Sequence, residues 1–112
     1  MKQHESLQKL ISDCVESIEY EKKEKFIGWE SIVSVLVYQG LLIMLPELKE
    51  WLKLGANVIA LKRQEIKKKL IAYAAEKDLD FPQAEIAAGK VADQLDEKKI
   101  KEIVTAFEDK AS

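Results

Sequence analysis

Apolar residues recur at helical spacing along most of the chain. Leu7, Leu10, Ile11, Cys14 and Ile18 fall at three- and four-residue intervals, the spacing of one buried helix face, and predict a first helix over residues 4–24. Glu5, Lys9, Asp13, Glu16 and Glu19 lie mostly off that stripe. The mixed charge run Glu21 to Lys25 then reads as a solvated last turn or connection, with Gly28 as the stop.

Residues 26–45 break the regular pattern, because they are apolar almost throughout and Glu30 is their only charge. The favoured reading is a helix buried nearly all round, at the centre of a bundle or in an oligomer interface, since Ser31, Ser34, Tyr38 and Gln39 still interrupt the run. A β-hairpin turning at Gln39-Gly40 is an alternative suggested by Ile32, Val33, Val35 and Val37. Against it, period-2 alternation is absent and a lone hairpin is marginally stable. A membrane helix is the other alternative, because twenty residues just span a bilayer core. The flanks give it little orientation signal, with Glu21–Lys25 at +1 and Glu47–Lys53 at zero.

Pro46 suits the first turn of a new helix and Glu47 its positive dipole end. The pattern continues through Leu48, Trp51, Leu52, Val58, Ile59, Ile66, Leu70, Tyr73 and Ala74. It predicts one helix over 46–77, or two broken at Gly55. Asp80, Pro82 and Gln83 read as a capping box opening the next helix, whose face carries Ala84, Ala87, Ala88, Val91 and Leu95. Asp96 then caps a last helix with Ile100, Ile103, Val104 and Phe107 as its stripe, ending near Asp109. The expected fold is a single all-α domain over 1–112: a four- to five-helix bundle made of a helical hairpin, 4–45, and a three-helix unit, 46–110.

Composition agrees with that class. The 112 residues are 47% hydrophobic and 34% charged, with a formal charge of −2 and only 4 Gly and 2 Pro; a fold of many short strands needs more turn-formers. The balance conceals an asymmetry. Residues 61–77 carry six basic and two acidic side chains, or +4, and residues 78–112 carry five and nine, or −4. The simplest use of that opposition is internal, with the basic helix lying beside the acidic segment. Met1 to Lys25 stays charged and lacks the apolar stretch of a signal peptide, so a cytoplasmic location is the default expectation, with membrane association as the alternative.

Candidate chemistry is sparse. With one His, one Cys and one Arg, the chain offers no metal-ligand spacing, no activated nucleophile and no phosphate loop, so neither enzymatic activity nor a cofactor is expected. The carboxylate pairs Glu16/Glu19, Glu21/Glu24 and Glu47/Glu50 lack the Glu-x-x-His partners of a di-metal bundle. Cys14 sits within an apolar stripe and reads as a small buried hydrophobe. Lys62, Arg63, Lys67, Lys68 and Lys69 surround their helix's apolar stripe and do not make one basic face. Nucleic-acid binding through 62–69 is therefore a further alternative, non-specific if present.

What remains is the excess of apolar surface in 26–54, which points to a non-enzymatic interaction or assembly protein. The expected partner is a second copy, most simply a dimer, or another protein. The candidate interface residues are Trp29, Leu36, Tyr38, Leu42 and Trp51.

Overall fold

The computed structural model describes residues 2–22, 28–80 and 82–111, with side chains placed over 5–22, 28–80 and 82–108. The described residues form six helices and no strand. In chain order they are α1 (Lys2–Lys22), α2 (Trp29–Ile43), α3 (Leu45–Leu54), α4 (Ala56–Glu76), α5 (Gln83–Gln94) and α6 (Glu97–Ala111). The bundle therefore has more helices than the four or five expected, because the pattern over 46–77 divides at Gly55 into α3 and α4. The hairpin alternative for 26–45 is overturned, since Ile32, Val33, Val35 and Val37 all lie within α2.

Gly28 opens α2. Its φ of −76° is helical, and its carbonyl accepts the Ile32 N–H at 3.0 Å. The continuation of α1 through the charge run at 23–25 lies outside the described residues. Within α2 the turn over Leu36–Gly40 widens to π-helical spacing, with the Leu41 N–H donating to the Leu36 carbonyl. A π turn accommodates one extra residue in a helix. Here it falls where α2 meets α4.

The path turns by 72° between α2 and α3. Pro46 explains the break: lacking an N–H, it leaves the Leu42 carbonyl without its helical partner, and its ring opposes continuation of the turn before it. Met44 bridges the corner with its N–H on the Leu41 carbonyl at 3.1 Å. The break expected at Gly55 is present. Its φ of 104° is a conformation that a side chain would strain, and its carbonyl accepts the N–H groups of Val58 and Ile59, starting α4.

Helix α4 ends in a Schellman arrangement. Leu79 N–H reaches the Ala74 carbonyl at 2.9 Å and Asp78 N–H the Ala75 carbonyl at 3.2 Å, closing the last turn around a left-handed residue. That residue is Asp78, at φ 59°. The capping box expected at Asp80 does not form: the cap position is Pro82, without a side-chain bond, and Asp80 contributes its backbone carbonyl to Ala84 N–H at 2.7 Å. The cap at Asp96 does form, its Oδ1 accepting the Lys99 N–H at 2.8 Å.

One core joins all six helices. The stripes of α1, α4, α5 and α6 named from spacing are buried, from Leu7 and Cys14 to Ile103 and Phe107, with Val58 at the start of α4 partly buried. Ala84, Ala87 and Ala88 are fully buried, and their small size lets α5 lie close against α1, α2 and α4.

Candidate interaction surface

Helix α2 has two apolar faces. The inner one carries Trp29, Ile32, Val33, Leu36, Val37, Leu41 and Met44, all buried. The other side carries Val35 and Tyr38 and, beyond the π turn at Leu36–Gly40, Leu42 and Ile43. Val35 and Tyr38 are half-buried and pack against the core, whereas Leu42 is 47% and the adjoining Ile43 64% exposed. The helix is thus not buried all round.

The five candidate residues divide accordingly. Trp29, Leu36 and Trp51 belong to the core of the chain itself, so they are not presented on its surface. Their burial follows from α3 turning back at Met44, which brings Leu48 and Trp51 inward. Tyr38 and Leu42 keep solvent-facing surface, and they share the outer face of α2. Val35 and Ile43 complete this surface and were not among the candidates. The signal for Val35 was masked in the sequence by the continuous apolar run. Further along, Leu54 and Leu61 stand exposed on either side of Gly55.

A cleft of about 420 Å³ lies between α1 and α2. Ile11 and Val15 from α1 and Tyr38 from α2 supply its apolar surface, Ser12 and Ser34 its hydroxyls, and Glu16 and Glu30 its charge. Tyr38 belongs both to this cleft and to the outer side of α2. The two surfaces are therefore continuous.

The cations of α4 are largely engaged at home. Lys69 pairs with Glu47 of α3 and, at 3.9 Å, with Glu65 of its own helix. Lys62 lies 3.7 Å from Glu65 and 5.8 Å from the centre of the Trp51 ring. The Arg63 Nε donates to the Leu95 carbonyl at 3.0 Å. The basic helix does lie beside the acidic segment, α4 packing against α5 with Lys67, Glu85 and Asp93 around one cleft, but among the described residues no ion pair joins 61–77 to 78–112. The reason is geometric: α4 and α5 meet through small apolar faces, and Lys67 lays its stem across Gly89, with Cε 3.5 Å from where a Cβ would stand. The inter-helix pairs that do form are Lys49–Glu108 at 2.6 Å, between α3 and α6, Lys69–Glu47, and Lys90–Glu21, between α5 and α1.

Cys14 is fully buried, and desolvation pushes its thiol up to about 12 from 9.0, against the opposing fields of Lys99 and Lys90. A thiol held protonated is a poor nucleophile. Among the described residues, no group of three His, Cys, Asp or Glu side chains is placed to hold a metal ion. No single described helix is long and apolar enough to cross a membrane; the bent pair α2–α3 is so by length and composition only when taken together. Comparison with family models, curated proteins and solved structures gave no match.

Proposed function

We propose that this protein is a non-enzymatic helical interaction protein that self-associates through the outer face of the 26–54 segment, most simply as a two-fold dimer. The observation that carries this reading is the apolar surface at the C-terminal end of α2, where Leu42 and Ile43 stand exposed beside the half-buried Tyr38. A two-fold contact uses the same patch on both copies, and a helix with spare apolar surface can pack against its own copy without any other element moving. Buried apolar area of this kind is the main driving force for association. The experiment is sedimentation velocity across a concentration series: mass should rise toward that of a dimer, and Leu42→Asp should hold the protein at monomer mass with its melting curve retained. A chain that stays monomeric at high micromolar concentration removes the reading.

The same exposed residues at the α2–α3 corner, Leu42 and Ile43, favour a second reading, contact with a bilayer surface. Flotation with vesicles separates the two. Co-flotation that Leu42→Asp abolishes, without any change of mass in solution, favours the membrane. The nucleic-acid alternative rests on Lys67 and Lys68, which make no ion pair among the described residues. Its signature is heparin retention that collapses with salt.

A further inference from the structure

The α1/α2 cleft differs from the other clefts of the bundle in its charge. The cleft between α1 and α6 mixes Lys9, Lys98 and Lys99 with Asp13 and Glu102, and the one between α4 and α5 mixes Lys67 and Lys90 with Glu85 and Asp93. Among the described residues the charged members of the α1/α2 cleft are Glu16 and Glu30, one from each wall. Neither is in an ion pair among the described residues. Between them lies apolar surface from Ile11, Val15 and Tyr38.

We infer that this cleft docks an amphipathic helix of a partner protein, one that carries Lys or Arg beside its apolar face. The inference rests on the premise of the proposed function that this is a binding protein and shares Tyr38 with its surface; the rest of the cleft is separate from Leu42 and Ile43. An occupant that covers the apolar side chains also faces two carboxylates that pair with no cation among the described residues, so apolar groups together with cations suit it best. The walls have helix length to match: Glu30 to Tyr38 spans ~12 Å at the α-helical rise, room for about two turns of a docked helix. Tyr38 gives the site a rigid amphipathic anchor, of a kind enriched where helices are gripped in grooves. The carboxylates set orientation and speed encounter with a cationic partner, while the apolar floor supplies most of the affinity. Their sign also opposes nucleic acid and anionic lipid at this position.

The test uses the full chain and a fluorescent lysine–leucine amphipathic peptide, followed by anisotropy. Saturable binding is expected. It should weaken roughly tenfold in the double variant Glu16→Lys/Glu30→Lys, as the loss of two exposed charge pairs allows, and weaken likewise at high salt. Both glutamates are exposed, so the variant should fold, and an unchanged circular dichroism melt checks that. A glutamate–leucine peptide of the same pattern should not compete. Absence of binding, equal binding of the acidic peptide, or full binding by the double variant each overturns the inference. Leu42→Asp keeps the two proposals apart, because it should abolish self-association and leave peptide binding in place.

Discussion

A Cβ on Gly40 would lie 2.7 Å from Cδ2 of Leu70. The closest approach of α2 to α4 is therefore made through a missing side chain. Beside it the Tyr73 hydroxyl donates to Gln39 Oε1 at 2.5 Å, so one turn of α4 holds the π-helical turn of α2 by both an apolar and a polar contact. Leu70 is fully buried and cannot swing aside freely. Gly40→Ala should destabilise the protein by ~1 kcal/mol, overpacking outweighing the gain in helix propensity. Chemical denaturation should also show that the same change costs less in a Leu70→Ala background.

Loss of the neighbouring hydrogen bond is a separate matter. Tyr73→Phe keeps the ring and removes the donor to Gln39, and should cost about 1 kcal/mol. A midpoint of urea unfolding equal to that of the parent would show that solvent replaces the bond without penalty.

Leu36 and Leu42 lie on the two faces of one helix, and the same substitution should separate them. Leu36→Asp places a charge at a site with no exposure and should prevent folding, at a cost above ~4 kcal/mol. Leu42→Asp should leave the melt nearly unchanged and alter only the mass in solution. Equal melting curves for the two variants would mean that the faces are assigned wrongly.

Helix ends offer opposite changes. Asp96→Ala removes the cap on Lys99 N–H and should cost ~1 kcal/mol. Asp78→Gly relieves a left-handed residue and should stabilise by roughly 0.5–1 kcal/mol. Thermal unfolding of the two single variants should move in opposite directions.

Burial of Cys14 has a pH consequence. Its thiol is raised in the folded state, so its contribution to stability is fully present below pH 9 and is lost as pH climbs toward about 12. The stability difference between the parent and Cys14→Ala should accordingly shift against the parent as pH rises through that window. Below it, the native thiol should resist a disulfide reagent until denaturant opens the core.

The helical class, the breaks at Pro46 and Gly55, the Asp96 cap and the buried stripes of α1, α4, α5 and α6 were all legible in the sequence, because each depends on spacing or on one residue's backbone chemistry. Where local cues competed, the sequence misled: Asp80 gives its carbonyl in place of its side chain, and Pro82 takes the cap position. The apolar run 26–45 was opaque for a different reason, since continuous hydrophobicity has no phase. Only packing against α4 and α5, together with the turn at Met44, decides which residues go inward. That turn brings Trp51 into the core with Trp29 and Leu36, and leaves Tyr38 and Leu42 outside. The charge pattern correctly set the basic helix beside the acidic segment but named no individual partners, because side chains find partners by proximity in space. Spacing determined the helices; their mutual packing decided which surface is left for a partner.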